Sequence, residues 1–167
     1  MLAGLAGLCL ARPGHAQSEP PKQIGTAKQW TAYTLGDSKT GICYVVTGPD
    51  RQEPAKLKRG DAHLLVTHRP GEKATNVVSI ELGYAVTKGA DAAVKIDKQS
   101  FSFFTDRETA WTRDAETDKA VVTAMTKAGE LVIKAKSAKG NETTDSYALA
   151  GFPEALAMID KACKVKR

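Results

Sequence analysis

Histidine is the side chain that most readily exchanges protons near neutral pH, so His15, His63 and His68 are the first candidates for chemistry. His63 and His68 are five residues apart in a segment whose composition predicts a strand. Successive side chains of a strand point to opposite faces, so this odd spacing prevents the two rings from holding one metal ion. Asp61 could share a face with His63, but we interpret that pair as a surface hydrogen bond. The sequence therefore predicts no metal site and no cofactor.

Sequence motifs of the common enzyme classes are absent from the chain. It contains no Gly-x-Ser-x-Gly, no P-loop, no Gly-x-Gly-x-x-Gly and no His-Glu-x-x-His. Asp61, Glu72 and Glu81 are the best candidates for a glycan-hydrolysing pair of acids, but their spacing does not bring them together. We predict no catalytic residues and a binding or interaction protein. An envelope enzyme acting on cell-wall glycans and a structural envelope protein are the alternatives.

The first sixteen residues have the character of a secretory leader. Leu2 to Ala11 form a short apolar stretch, and small residues precede a cleavage site that we place after Ala16. Cys9 lies in this stretch behind Leu8, where a lipoprotein signal would have a small residue. We therefore expect Cys9 to leave with the leader rather than to be acylated. The mature chain is expected in the periplasm or cell envelope.

Removal of the leader leaves two cysteines, Cys43 and Cys163, which are 120 positions apart. Thiols that enter an oxidising compartment usually pair, so we predict a disulfide between them, with two separate buried thiols as the alternative. Cys163 shares one predicted helix face with Phe152 and Ile159, which directs it inward toward the strand that carries Cys43. The chain has no Cys-x-x-Cys, which argues against a redox or zinc motif.

Four residues are candidates for ligand binding: Trp30, Arg59, Arg69 and Trp111. Arg59 opens an Arg-Gly-Asp tripeptide and Arg69 precedes a Pro-Gly turn, although such a tripeptide is frequent by chance and a turn into a strand explains it. The two tryptophans could line a groove for a glycan or other ligand, although aromatic residues at strand positions usually belong to the core. The aromatic residues that could join them are Phe101, Phe103 and Phe104.

The formal net charge of +5 is modest for a chain of 167 residues. It favours weak attraction to anionic surfaces, although solubility alone explains a charge of this size. No apolar run approaches the roughly 18 residues of a membrane-spanning helix. We expect an envelope protein, a lipid or a glycan as the partner and no specific nucleic acid, and the sequence does not predict an oligomeric state.

Composition divides the chain into three parts. Residues 1–16 are the leader, residues 17–29 are polar and predicted to be a flexible linker, and residues 30–167 form one domain. Short β-branched and aromatic segments recur about every ten residues between turns, which indicates a β-sandwich or barrel. Asp114 and Pro153 mark the starts of an internal and a C-terminal helix. Strands are predicted from Trp30 and Ile42 and over 62–68, 76–86, 92–96, 100–105, 109–112, 131–137 and 143–149.

Several short motifs follow one another in a recognisable order along the chain. They are Trp30, Cys43-Tyr44-Val45, Arg59 to Gly71, Gly83-Tyr84, Ile96-Asp97, Phe101 to Phe104, Ala110-Trp111, Ala124-Met125, Ser137 to Gly140, Asp145 to Phe152, Ala155-Leu156 and Cys163. This order resembles the invasion-associated locus B family of Gram-negative envelope proteins. The resemblance covers roughly residues 30–163 and implies an exported protein with an all-β, immunoglobulin-like β-sandwich. The family's namesake is associated with entry of a pathogen into host cells, and the resemblance implies no catalytic residues.

Overall fold

The computed structural model describes residues 20–37 and 40–167 of the chain. These residues form eleven β-strands, two α-helices and one 3-10 turn at Pro70–Glu72. The helices are α1 (Ala115–Met125) and α2 (Phe152–Cys163). The strands are β1 (Lys22–Ala27), β2 (Trp30–Leu35), β3 (Ile42–Thr47), β4 (Arg51–Glu53), β5 (His63–Arg69), β6 (Ala74–Glu81), β7 (Ala92–Ile96), β8 (Gln99–Asp106), β9 (Thr109–Trp111), β10 (Glu130–Lys136) and β11 (Glu142–Ala148).

The strands are hydrogen-bonded in the order β1-β2-β3-β5-β6-β9-β8-β7-β10-β11-β4, and every pair is antiparallel. Strand β8 forms the corner, because residues 99–103 pair with β7 whereas residues 104–106 pair with β9. We call β1, β2, β3, β5, β6 and β9 with the end of β8 the first sheet. The second sheet contains β7, β10, β11, β4 and the start of β8. The predicted all-β sandwich with an internal and a C-terminal helix is confirmed.

One hydrophobic core lies between the two sheets, and alternation along the strands builds it. In β3 and β5, every second residue is buried while the residues between them are mostly half-buried. In β7 and β10, the residues between the buried positions are mostly exposed. The period of two is the one that a sheet with one covered face requires. The largest fully buried side chains of this core include Trp30, Tyr147, Phe103, Phe152, Leu64, Ile80 and Ile133.

Strand β9 covers only the second half of one β6 edge, and helix α1 lies beside the first half. Asp114 is its N-cap, as predicted, and accepts a 2.7 Å hydrogen bond from the amide of Thr117. Strand β6 pairs with β9 only from Ser79 onward, so the amide of Val78 needs another acceptor. The buried carboxylate of Asp118 accepts a 2.8 Å hydrogen bond from this amide, which anchors the helix to the sheet.

The prediction of a flexible linker over residues 17–29 is wrong for residues 22–27, which form β1. This strand is polar and mostly exposed, so its side chains carry no strand pattern. It forms because its backbone pairs with β2 from Lys22 to Ala27 and because α2 packs beside it. A Cβ at Gly25 would lie 2.5 Å from the sulfur of Met158. The predicted leader and its cleavage site lie outside the described residues.

Strand β6 also ends earlier than the predicted range of 76–86. Gly83 has a φ of +71°, and a Cβ there would lie 2.3 Å from the carbonyl oxygen of Gly60. This close approach of two backbones turns the chain out of the sheet just after Glu81. A glycine within an apolar run therefore marks a turn here, at a point where two backbones approach closely.

Helix α2 covers the inner face of the first sheet and is joined to it by the predicted disulfide. Its buried side chains include Phe152, Ile159 and Cys163, which share one face of the helix. The Phe152 ring lies 4.9 Å from the ring of Trp30. Cys43 and Cys163 are bonded with their Cα atoms 6.0 Å apart. The disulfide prediction is confirmed, and so is the inward orientation of the apolar helix face.

A buried polar cluster lies beside the disulfide. His68 is the cross-strand neighbour of Cys43 and is fully buried. Its Nδ1 accepts a 3.0 Å hydrogen bond from the amide of Asn76, so the proton is on Nε2, which lies 2.9 Å from Asp160. Arg167 in turn donates to Asp160 at 2.5 Å and to Asn76 at 2.8 Å. The cluster ties the end of the chain and α2 to the β5–β6 hairpin.

Removal of the disulfide is expected to lower the free energy of unfolding by roughly 4–5 kcal/mol, because the bond closes a loop of 120 residues in the unfolded chain. The variant is Cys43→Ala/Cys163→Ala, measured by urea unfolding beside the oxidised wild type. Chemical reduction should produce a similar loss in the wild type and none in the variant. A loss below about 1 kcal/mol would show that the sandwich and α2 hold together without the bond.

Acidification is expected to destabilise the fold through His68. Burial lowers the pKa of His68 below its ordinary value of 6.5, although the hydrogen bond from its ring to Asp160 opposes this shift. The folded state therefore binds this proton less readily than the unfolded state, and stability is lost as the pH falls below about 6.5. A proton on Nδ1 of His68 also breaks the hydrogen bond that this atom accepts from the backbone amide of Asn76.

Urea unfolding at several pH values checks this expectation. On acidification, the free energy of unfolding of His68→Gln should fall less than that of the wild type. The free energy of unfolding of His63→Gln should fall as it does in the wild type, because His68 is still present. An NMR titration of the His68 ring in the native state gives the pKa directly. A native pKa above 6.5 would contradict the expectation.

Candidate functional site

The outward side chains of the two sheets differ in chemistry. On the second sheet they are short or charged, as with Lys95, Lys134 and Lys136, which is the usual composition of a solvent-facing sheet. On the first sheet many of them are aromatic or aliphatic and only half-buried. We call these residues the aromatic face: Tyr33, Tyr44, Val46, Leu65, Val77, Phe104 and Trp111.

The strand register places the aromatic face in two neighbouring rows. The first row crosses six strands, and the second row, two residues further along each strand, crosses four. In the second row the rings of Tyr33 and Tyr44 are stacked, with centroids 5.2 Å apart and planes inclined by 17°. The first row is Phe104, Trp111, Ser79, Leu65, Val46 and Thr31, and the second is Val77, Thr67, Tyr44 and Tyr33.

Hydroxyl side chains lie among the apolar ones in both rows, and neither row contains a charged residue. Burial raises the pKa of Tyr44, so its hydroxyl stays protonated at neutral pH and can donate a hydrogen bond. The rows thus combine ring faces with small polar groups. This is the composition of a surface that binds an uncharged polar molecule.

Ion pairs lie at the rim of the aromatic face. His63 and Glu81, cross-strand neighbours one row away, are 3.0 Å apart. At the corner, Arg113 pairs with Asp91 at 2.6 Å, and its guanidinium lies 5.8 Å from the centre of the Phe104 ring. These two pairs place charge beside the aromatic face rather than within its rows.

Of the predicted binding residues, Trp111 lies on the aromatic face and Trp30 does not. Trp30 is fully buried, and its Nε1 donates a 3.1 Å hydrogen bond to the carbonyl oxygen of Ala148. The prediction of Trp30 as a binding residue is therefore wrong. Phe103 belongs to the core, Phe101 packs partly buried against it, and Phe104 is paired with Trp111 on the outer face. The groove that was to combine both tryptophans does not exist.

The prediction of Arg59 as a surface binding residue is also wrong. Its guanidinium forms two hydrogen bonds with Asp145, at 2.6 and 2.9 Å, and only 4% of its side chain is exposed. Burial raises the pKa of Asp145, and the guanidinium opposes that shift. Arg69 remains 37% exposed beside Glu72, at 3.6 Å, so its role stays a prediction.

The structure separates the two histidines and two of the three candidate acids. His63 and His68 have different partners on opposite faces of β5, as their odd spacing predicted. Glu81 lies at one end of the β5–β6 hairpin, and Glu72 lies in the turn at the other end. By strand geometry, about 20 Å separates the two residues. That distance exceeds the roughly 5–9.5 Å of glycosidase acids. Within residues 20–37 and 40–167, no three potential ligands cluster as a metal site.

The sequence contains a signal for the aromatic face that lies outside its motifs. Residues 42–46 are apolar without interruption, although a sandwich strand with one solvated face should alternate. Such a run means that the outward positions are apolar as well. The same is true of Leu65 and Val77, which alternate with core residues in β5 and β6.

The described helices include none that is long and apolar enough to cross a membrane. No curated protein and no solved structure matches the chain. The profile of one protein family, described as "Invasion associated locus B (IalB) protein", matches residues 30–160. This range contains β2 to β11, the whole aromatic face and Cys43, and it is more than three quarters of the chain. The chain therefore belongs to the invasion associated locus B (IalB) family.

Proposed function

We propose that the protein is an exported, envelope-associated binding protein that holds a neutral glycan on the aromatic face. The observation that carries this proposal is the contrast between the two sheets, because only the first has two adjacent uncharged rows with aromatic rings on its outer face. Sugar rings present flat C–H surfaces edged by hydroxyls. They stack on tyrosine and tryptophan while the hydroxyls meet polar groups at the ring edges.

The absence of charge from the two rows selects the ligand class. A bound carboxylate or phosphate would lose water at these rows without gaining a counter-charge, which costs free energy. A neutral glycan loses only hydroxyl hydration, and Tyr33, Tyr44 and Thr31 can replace those hydrogen bonds. The stacked tyrosine pair offers a broad platform for one sugar ring. Trp111, three strands from Tyr44, offers a second platform for another.

The size of the surface favours a glycan over a second protein. The rows cross five strand spacings and are two residues apart, which gives roughly 24 Å by 7 Å, or about 170 Å². A stable protein–protein interface takes about 800 Å² from each partner. The uncharged part of the face is therefore too small for such an interface, but it matches a short oligosaccharide.

Export is the second part of the proposal, and the disulfide supports it. Disulfides persist in oxidising compartments and are rare in the bacterial cytoplasm. The leader-like first sixteen residues agree with that location. The family name refers to invasion, and glycan binding is an activity through which such a protein could act, either on a host surface or on the bacterium's own envelope.

Substitutions on the aromatic face are expected to weaken glycan binding. Tyr44→Ala and Trp111→Ala should each raise the Kd for a neutral oligosaccharide at least tenfold, a loss of about 1.4 kcal/mol, because each removes a stacking ring. The probes are N-acetylchitohexaose and cellohexaose, titrated by calorimetry. Val132→Ala, on the outer face of the second sheet, is the matched control and should leave the Kd unchanged.

Three outcomes would contradict the glycan proposal. The first is the absence of binding to either neutral probe, and the second is equal binding by Tyr44→Ala and the wild type. The third is a Tyr44-dependent dimer in sedimentation analysis, which would make a second copy of the chain the occupant of the face.

Export is tested by following the chain in its bacterial host. The expected result is a periplasmic protein that begins at Gln17 and has no free thiol, because Cys9 has left with the leader and the other two cysteines are bonded. Fractionation, N-terminal mass spectrometry and thiol titration of the denatured protein measure these properties. A cytoplasmic protein with free thiols would overturn the assignment to the envelope.

A further inference from the structure

We infer that a second site, a cavity of about 390 Å³ beside the turn at Gly83, binds a small organic anion with a short apolar chain. The cavity lies between the loop that follows β4 and the tip of the β10–β11 hairpin. We call it the anion pocket. Its lining residues are Leu57, Lys58, Gly83, Tyr84, Ala85, Ser137, Ala138, Lys139 and Asn141.

The loop wall of the anion pocket is fixed to its floor. The amide of Gly60 donates a 2.8 Å hydrogen bond to the carbonyl oxygen of Gly83. The two backbones touch at this point, and a side chain at Gly83 would collide with Gly60. Leu57 and Lys58 are therefore held beside the floor before any ligand arrives.

A buried ion pair supports the same wall from below. Arg59 forms its two hydrogen bonds with Asp145 on β11, and its guanidinium lies 5.7 Å from the centre of the Tyr84 ring. The hydroxyl of Tyr84 is hydrogen-bonded to that of Thr143. A buried ion pair contributes little net stability compared with apolar packing. Its effect here is to fix the position of the Tyr84 ring, which lines the pocket.

The hairpin wall is fixed to the floor as well. The amide of Ala138 donates a 2.7 Å hydrogen bond to the carbonyl oxygen of Ala85. Thr87 donates two hydrogen bonds to the same hairpin. Its amide binds the carbonyl oxygen of Lys136 at 2.9 Å, and its hydroxyl binds the carbonyl oxygen of Ser137 at 2.8 Å. Both walls are thus attached to the segment 83–87, so the cavity is preformed. Preorganisation of this kind lowers the entropy cost of binding.

The charge of the lining selects an anion. Lys58 and Lys139 come from opposite walls, and neither forms an ion pair within the described part of the chain. No lining residue is acidic. The rest of the lining is largely apolar, with Leu57, Ala85 and the Tyr84 ring. A carboxylate held between two ammonium groups, with its apolar part on Tyr84, satisfies both features.

The test uses octanoate as the probe, with octan-1-ol and octylammonium as its neutral and cationic counterparts. In ¹H–¹⁵N NMR titrations, octanoate is expected to shift the amide signals of Gly83, Ala85 and Lys139. Lys58→Ala/Lys139→Ala should raise the Kd for octanoate at least tenfold. Lys95→Ala/Lys98→Ala removes the same charge from an exposed hairpin elsewhere and should leave the Kd within twofold.

A second variant separates shape from charge. Ala85→Trp places a large ring in the cavity while both lysines remain, and it should abolish the octanoate shifts. The inference is overturned if octan-1-ol or octylammonium binds as tightly as octanoate, if the shifts occur outside the lining, or if none occurs at millimolar probe. These results are independent of the glycan titrations, because no residue of the aromatic face lines the anion pocket.

Discussion

The fold depends on the packing of α2 against the inner face of the first sheet. The first sheet contains six whole strands and the second contains four, so the second sheet alone leaves part of that inner face open. Helix α2 packs against β1, β2, β3 and β5, where it buries Trp30 against Phe152. The disulfide then fixes the far end of the helix to β3. With its inner face closed in this way, the first sheet has only its outer face available for a partner.

Three buried polar groups perform the same task at three edges of this sandwich. Asp118 accepts a hydrogen bond from the amide of Val78, which has no partner on β9, and thereby holds α1 at the edge of β6. His68 joins Asn76 to Asp160 and holds the end of α2. Asp145 receives Arg59 and holds the loop beside the anion pocket. In each case a buried polar side chain adds a directional hydrogen bond that fixes the position of the segment against the sheets.

The sequence was informative where side-chain periodicity reflects burial and uninformative where the backbone alone decides. The period of Phe152, Ile159 and Cys163 predicted the buried helix face, because a buried stripe must repeat with the helix, and it agreed with the disulfide predicted from the cysteine count. Strand β1 has no such pattern, since it is held by its pairing with β2. Gly83 is a similar case, because the need for glycine arises from a contact with Gly60, which is distant in the chain.

The candidate site was harder to predict, because a side chain's type does not reveal whether it is buried. Trp30 and Arg59 were reasonable candidates by type, but one fills the core and the other neutralises a buried acid. Trp111 lies on the aromatic face because its position in β9 is out of phase with the buried Ala110. The platform at Tyr33 and Tyr44 depends on the register of β2 with β3, which single-strand patterns do not contain.

The aromatic face is not a requirement of the sandwich itself. The second sheet of the same molecule turns Lys95, Lys134 and Lys136 outward and still packs its inner face fully. Charged residues at the outward positions of the first sheet would satisfy the fold equally well and would carry less risk of aggregation. The fold limits that risk by other means: hydroxyl side chains interrupt both rows, and a bulge between Gln23 and Gly25 distorts the edge strand β1. An apolar face that is protected in this way, rather than replaced by charge, is most simply explained by the binding of a ligand.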